Sequence, residues 1–247
     1  MSDATPAKGP FRLLRWPIIF TTPALALLIG LGVWQMHRLH WKEGLIAHIN
    51  AQMQAPAVDL PVTIDDPKTW EYRRVKATGH YQNDKELYLY ATGPDGDAGY
   101  LVMTPLVRAE GAPVLVNRGW VPQNLKDPST RQQGQRGGEV TIEGVGRISG
   151  GAGPFTPANE PEKNQWFQRD LDQMSKAVSE TLAPVMIDRD KTPLPGGWPL
   201  GGRTRIDIPN NHLEYAITWF SLAYVLLVVF AIYARRIVRA AKSGTSA

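Results

Sequence analysis

The chain has 247 residues, 43% of them hydrophobic, and it contains no cysteine. This hydrophobic share excludes both a polytopic transporter and a disordered chain, and the lack of cysteine excludes disulfide scaffolds, thiolate metal sites, cysteine nucleophiles and covalently attached haem. The formal charge is +4, but residues 1–34 carry +2, residues 215–247 carry +4 and residues 35–214 carry −2. Because the basic excess lies at the two ends, we predict no nucleic-acid partner.

The first long apolar run covers residues 16–34, which form a stretch of 19 residues without a charge. As a helix rising about 1.5 Å per residue, this stretch nearly spans the hydrocarbon core of a bilayer. A cleaved signal peptide would have a shorter apolar region followed by small residues at a cleavage site, whereas this run continues into Trp34, Gln35 and Arg38. We therefore predict an uncleaved transmembrane helix that continues as helix to about Met53.

The segment between the apolar runs is predicted to be a single β-rich domain. Short strand-like runs alternate with clusters of Gly, Pro, Asn and Asp, a pattern typical of antiparallel hairpins. The predicted strands cover residues 74–81, 86–91, 100–108, 114–121, 140–149, 165–169 and 185–188. Residues 171–180 are predicted to be helical, and residues 191–202 are predicted to be irregular. We expect a curved antiparallel sheet or a barrel.

The second apolar run covers residues 215–234 and holds 20 uncharged residues. Arginines lie on the terminal side of each run, namely Arg12 and Arg15 before the first and Arg235, Arg236 and Arg239 after the second. Cytoplasmic flanks of membrane helices are enriched in such residues, so both termini are predicted to be cytoplasmic. Because the N-terminus lacks an Arg- and Ser-rich presequence, we expect a bacterial inner membrane with the β-rich domain in the periplasm.

These predictions give a five-part layout for the membrane protein. A cytoplasmic tail covers residues 1–15, a transmembrane helix 16–34, the periplasmic domain with its juxtamembrane helix 35–212, a second transmembrane helix 213–234 and a basic cytoplasmic tail 235–247.

No catalytic motif for hydrolysis stands in a recognisable setting in this sequence. His37 and His40 are spaced to hold a metal on one helix, but an interfacial position among lipid headgroups is the favoured interpretation. His80 is expected on a strand face as a structural or solvated residue. We therefore predict that the chain is not an enzyme, and a periplasmic enzyme with an unfamiliar site is the weakest hypothesis.

Three sequence blocks together resemble one known family. Residues 32–42 read GVWQMHRLHWK, residues 114–122 read VLVNRGWVP and residues 211–220 read NHLEYAITWF. Their order and spacing, with two apolar runs around one domain, are similar to the surfeit-locus (Surf-one, yeast Shy-one) family. The resemblance covers essentially residues 11–240.

The resemblance implies an assembly factor for cytochrome c oxidase that helps subunit I mature around haem a. It also implies that haem a is bound as cargo, with His212 and Trp219 as the functional pair and His212 as the ligand to the haem iron. Subunit I, haem a synthase and membrane lipid are the partners expected. The alternative is an interaction scaffold that stabilises an oxidase assembly intermediate without binding haem.

The spacing of residues on the two predicted helices is compatible with a haem site. One stripe of the second helix holds His212, Ala216, Trp219 and Ala223. On the first helix, Gly30 and Trp34 share a face. Small residues beside tryptophan either leave room for a flat macrocycle or allow close helix packing, and both interpretations stay open.

The polar residues of the three blocks can be interpreted as functional or as structural. Arg38, with Lys42, could bind haem propionates, although lipid phosphates are the commoner partners of such residues; Trp34 and Arg38 are therefore candidate cofactor-binding residues. Trp34, Arg38 and Trp41 are also predicted to form the face that orients the first helix against its partner helix. In the second block, Arg118 is expected to be solvated beside a core-edge tryptophan. Asn211, followed three residues later by glutamate, resembles a capping box.

Overall fold

The computed structural model describes residues 10–150, 153–202 and 208–243. The chain divides into two compact units, one made of Met1–Ala47 with Asp207–Ala247 and the other of His48–Ile206. The α-helices in the described part are α1 (Pro10–Gln54), α2 (Leu171–Val178) and α3 (His212–Ser243). The strands are β1 (Val58–Asp59), β2 (Arg74–Tyr81), β3 (Leu87–Thr92), β4 (Ala98–Val107), β5 (Val114–Pro122), β6 (Glu139–Arg147) and β7 (Met186–Arg189).

The helical unit is built from α1 and α3. Both helices are long and apolar enough to cross a membrane by length and composition, with mean hydropathy of 1.8 and 2.2 over their most apolar windows. Most of their large apolar side chains are exposed, including Phe20 on α1 and Tyr224 on α3. A helix satisfies its own backbone hydrogen bonds, so an uncharged run of this length suits an apolar solvent. The predicted pair of apolar helices is confirmed, and α1 runs past Trp34 as expected.

The β-rich unit contains a closed five-stranded barrel. The strands follow the order β2-β6-β7-β5-β4, and β4 pairs back with β2 through the pairs His80–Val107 and Tyr81–Leu106. β3 extends the sheet by pairing with β4, and β1 pairs with β2. The predicted β-rich barrel is therefore confirmed. Two pairings, β5 with β7 and β1 with β2, are parallel, which the hairpin pattern did not predict.

The core of this unit lies on both sides of β5. Val114 and Val116 on β5 belong to one buried cluster, which also takes in residues of β2, β6 and β7. Leu115 points the other way and belongs to a second cluster, to which α2 contributes Met174 and Val178. Alternate residues of a strand face opposite sides, so a strand covered on both sides reads as a continuous apolar run, as residues 114–116 do.

One predicted strand, residues 165–169, is not a strand. Its residues form only isolated bridges, in which Gln165, Trp166 and Arg169 each pair with a different segment. Trp166 bridges to Leu89 through backbone hydrogen bonds to Tyr88 and Tyr90. Asn164 before it adopts a left-handed conformation with φ +49°. After it, the side chain of Asp170 caps α2 by accepting the N–H of Gln173 at 2.9 Å. The turn and the cap leave too few extended residues between them for a regular strand.

The second sequence block forms a bulge in β5. Met103 on β4 pairs with Asn117 and Val102 pairs with Gly119, so Arg118 has no residue opposite it. Gly119 adopts φ +132°, and a Cβ there would lie 2.3 Å from the backbone of Leu200, which only glycine avoids. The bulge changes the direction in which Arg118 points.

Arg118 is fully buried, so its expected solvation is wrong. Its Nη1 donates to the carboxylate of Glu86 at 3.2 Å, and its guanidinium lies over the ring of Tyr81 at 4.6 Å. Burial lowers the pKa of Arg118. Sequence position alone did not reveal a buried carboxylate partner on another part of the barrel. The prediction for the neighbouring Trp120 is confirmed, because it is buried and donates from its indole nitrogen to the carbonyl of Ala91 at 3.2 Å.

Candidate functional site

α3 begins at His212, the histidine that the third sequence block singles out. Asn211 precedes the helix, and its carbonyl accepts the N–H of Tyr215 at 3.2 Å. Asn211 therefore occupies the position before the first helical residue, as the capping pattern predicts.

His212 makes a direct contact with the first sequence block. Its Nδ1 lies 2.7 Å from Oε1 of Gln35 on α1. Gln35 is only 8% exposed, whereas the imidazole is half-buried. Within the part of the chain that the structure describes, this is the only hydrogen bond of the His212 side chain. The contact joins residues that are 177 positions apart and brings the first and third sequence blocks together.

The stripe predicted on α3 is confirmed. Ala216 and Ala223 are buried, and His212 and Trp219 on the same stripe are half-buried. Residues on either side of this stripe, such as Ile217, are exposed. Trp219 therefore lies two turns along α3 on the face that carries His212.

The face of α1 that meets α3 differs from the predicted one. Gly32, Gln35 and Leu39 are the buried residues in this stretch of α1. A Cβ on Gly32 would lie 2.6 Å from the ring of Phe220 on α3, so the two helices pack closely here. Gly30, the small residue predicted for this face, has no atom within 4 Å of the Cβ position.

Trp34, Arg38 and Trp41 lie on the exposed side of α1, so the prediction that they orient this helix against its partner is wrong. Trp34 is 54% exposed and Trp41 is 56% exposed, and the guanidinium of Arg38 lies over the Trp41 ring at 4.4 Å. Trp34 precedes Gln35 by one residue, which on a helix is a rotation of about 100°. Periodicity grouped these three residues correctly, but it did not reveal which face of α1 meets α3.

Gln35 is the residue of this site that the sequence analysis missed. It stands between Trp34 and Met36 in the first block, at the point where the uncharged run ends. A buried amide needs a hydrogen-bond partner. The sequence feature that could have indicated such a partner is a single amide side chain directly after the apolar run. The partner itself could not be read from the sequence because it lies on the other helix.

The other histidines are not brought into this site. His37 and His40 are exposed, and Nδ1 of His40 lies 2.8 Å from the carbonyl of Met36 on its own helix. His80 is exposed on β2. Among the described residues, no group of three or more histidine and carboxylate side chains is arranged to hold a metal ion.

One cavity of the β-rich unit has a volume of about 1040 Å³. It is lined by aromatic side chains and by Arg147 and Arg169. Arg147 pairs with Glu71 at 3.2 Å, and Arg169 pairs with Asp188 at 3.2 Å. Both guanidinium groups on the described lining of this cavity therefore have carboxylate partners.

The fold and the site define a class of protein in which two long apolar helices, joined by a His–Gln hydrogen bond, flank a five-stranded barrel domain in the sequence. Residues 23–224 match the model of the SURF1 family. "Surfeit locus protein 1" of Rattus norvegicus is 41% identical over 224 residues, which cover 85% of this chain and 72% of the relative. The human protein of that name is 37% identical over 239 residues, covering 90% and 77% of the two chains.

A more distant relative, the "SURF1-like protein" of Caenorhabditis elegans, is 31% identical over 255 residues, covering 92% of this chain and 77% of the relative. The chain belongs to the SURF1 family. The resemblance inferred from the three sequence blocks is thereby confirmed.

Proposed function

We propose that this chain is a membrane-anchored assembly factor for cytochrome c oxidase, which binds haem a and assists its insertion into subunit I or stabilises that subunit. Membership of the SURF1 family supports the oxidase role. The observation that carries the haem role is the contact between His212 and Gln35. The proposed role is non-enzymatic, with haem a as cargo and subunit I and haem a synthase as partners.

The residues at the helix contact fit a haem group. A neutral imidazole nitrogen is a common axial ligand of haem iron, and ligating histidines usually donate their other N–H to an oxygen acceptor. His212 has one ring nitrogen against Gln35 Oε1 and one without a protein partner in the described residues. In this proposal His212 holds the iron, and Trp219 on the same face contacts the macrocycle. Bound haem a would supply the redox centre that the oxidase subunit requires.

Trp34 and Arg38 have a different role in this proposal. Both are exposed on α1, away from the buried face that holds Gln35. Arg38 stacked on Trp41 presents a cation beside an amphipathic ring, which suits the headgroup region of a bilayer. We assign Arg38 to lipid phosphates and Trp34 to the membrane interface; binding of haem propionates by Arg38 is the alternative.

We also propose a bacterial inner-membrane location with both termini in the cytoplasm and residues 35–212 in the periplasm. Two helices long and apolar enough to span a bilayer support the membrane assignment. The arginines beside the two apolar runs lie on their terminal sides and support the orientation.

The experiment that tests the function is purification of the full chain in detergent from cells that make haem a. The proposal predicts a Soret absorption band and near-stoichiometric haem a in the extract. Colourless protein that still co-purifies with oxidase subunit I would instead support a scaffold without haem. Colourless protein without subunit I would contradict both roles.

A further inference from the structure

We propose that Gln35 is a positioning residue that holds His212 as the Nδ1–H tautomer and so makes Nε2 the nitrogen available to a metal. The iron-binding consequence rests on the proposed function, but the tautomer does not. His212 Nδ1 lies 2.7 Å from Gln35 Oε1.

The chemistry of the two groups fixes the direction of this hydrogen bond. The oxygen of a glutamine amide only accepts hydrogen bonds, so Nδ1 must be the donor. In a neutral imidazole the proton is then on Nδ1, and the lone pair is on Nε2. An imidazole nitrogen coordinates a metal through its lone pair, so the acceptor on Nδ1 selects Nε2 as the ligand atom.

The surroundings of Gln35 make this geometry specific. Gln35 is only 8% exposed, so leaving its amide without a hydrogen-bond partner would cost free energy. A Cβ on Gly32, three residues earlier on α1, would lie 2.6 Å from the ring of Phe220 on α3, so the two helices approach closely here. Ala216, one turn after His212 on α3, is also buried. The close packing therefore holds the two side chains at hydrogen-bond distance.

His40 and Gln52 provide internal comparisons on α1. His40 also has Nδ1 near an oxygen, but that oxygen is the Met36 carbonyl of its own helix, and the imidazole is exposed. Gln52 lies 2.9 Å from the imidazole of His48 through its amide nitrogen. The Gln52–His48 pair therefore lies within a single helix. Among the histidine hydrogen bonds of the described residues, only the one between His212 and Gln35 joins α1 to α3.

The first arm of the experiment measures the tautomer without haem. The full chain, labelled with ¹⁵N-histidine and kept in detergent at about pH 8, where a histidine is ordinarily neutral, is studied by NMR. We expect the Nδ1–H pattern for His212 in the wild type, its loss in Gln35→Leu and its retention in Gln52→Leu. An Nε2–H pattern for His212 in the wild type would overturn the inference.

The second arm measures haem a binding by the same variants. Loss of an outer partner of a metal-binding histidine typically weakens binding about 10- to 100-fold, and we expect Gln35→Leu to lose affinity in this range while Gln52→Leu does not. Gln35→Glu keeps an oxygen acceptor and adds negative charge, so it should retain haem a and lower its reduction potential. This second variant separates positioning from a folding defect in Gln35→Leu.

Wild-type affinity and an unchanged haem spectrum in both Gln35 variants would overturn the positioning role. Failure of the proposed function looks different: the wild type would show the Nδ1–H tautomer but bind no haem a.

Discussion

Glu86 is a buried carboxylate that links several parts of the barrel unit. Its oxygens accept hydrogen bonds from Arg118 at 3.2 Å, from Arg131 at 3.1 Å and from Gln135 at 3.0 Å. Tyr88 donates its hydroxyl to the same carboxylate at 3.0 Å, and burial together with this negative charge raises the pKa of Tyr88. The guanidinium groups of Arg118 and Arg131 share the carboxylate of Glu86 as their counter-charge. We therefore expect Glu86 to be important for the stability of the domain.

Removing this carboxylate should destabilise the domain strongly. Glu86→Ala leaves Arg118 and Arg131 buried without their counter-charge, which typically costs about 3–5 kcal/mol. Urea unfolding of the full chain in detergent, followed by tryptophan fluorescence, measures the loss. The exposed Glu139→Ala variant is the control and should change stability by less than about 0.5 kcal/mol. Similar stabilities of the two variants would contradict the role of the cluster.

Glu180 gives the domain a pH-dependent contribution. Hydrogen bonds from Lys85 at 2.7 Å and from Gln82 at 3.1 Å lower the pKa of Glu180 below its usual value. Since the pKa is lower in the folded state, the stabilisation is present above the unfolded pKa and is lost as the pH falls through the folded pKa. Between neutral pH and about pH 3, the melting temperature of the wild type should therefore fall more than that of Glu180→Gln. Equal decreases would show that this contact contributes nothing.

At the scale of single residues, the sequence predicted what local pattern determines. His212 and Trp219 were placed on one stripe by helical periodicity, and the structure has them there. Gln35 and Arg118 could not be assigned, because each depends on a partner distant in the chain and on the direction in which its backbone points.

At the scale of elements, α1 and α3 are long apolar helices that approach closely at Gly32, where a Cβ would lie 2.6 Å from the Phe220 ring. Long uncharged runs predicted both helices, and strand-like runs between turn residues predicted six of the seven strands, missing only the two-residue β1. The parallel pairing of β7 with β5 was not predictable, because it depends on a connection between distant segments rather than on a hairpin.

Gly32→Ala should weaken the contact between the two helices. The added methyl group would lie 2.6 Å from the Phe220 ring, so this ring must shift, and a side chain forced away from its rotamer costs about 0.5–1.5 kcal/mol. Gly30→Ala is the matched control, since it also removes a glycine from α1 but meets no atom within 4 Å. Thermal unfolding of the full chain in detergent, followed by circular dichroism, should give a lower melting temperature for Gly32→Ala than for Gly30→Ala. The reverse order would contradict the packing.

At the scale of the whole molecule, the charge distribution and the two apolar helices determine the predicted membrane arrangement. The terminal segments carry the basic excess and residues 35–214 carry −2, as expected for cytoplasmic ends and an outer domain. Composition predicted the general architecture because a bilayer imposes strong constraints on length and charge.

The orientation can be tested with single cysteines, because the chain has none of its own. A membrane-impermeant maleimide should label Asn124→Cys, at an exposed position of the barrel domain, in intact spheroplasts. Ala247→Cys should be labelled only after the membrane is permeabilised. The opposite labelling pattern would reverse the proposed arrangement.

The central claim is that His212 binds haem a, and the most direct test is the haem a content of purified His212→Ala protein made in cells that produce haem a. His40→Ala is the control, because His40 is exposed and its imidazole lies at hydrogen-bond distance from the Met36 carbonyl of its own helix. We predict that the wild type and His40→Ala contain near-stoichiometric haem a with the same absorption spectrum, and that His212→Ala loses most of it with its helix content intact. Unchanged haem a content and an unchanged spectrum in His212→Ala would contradict the claim.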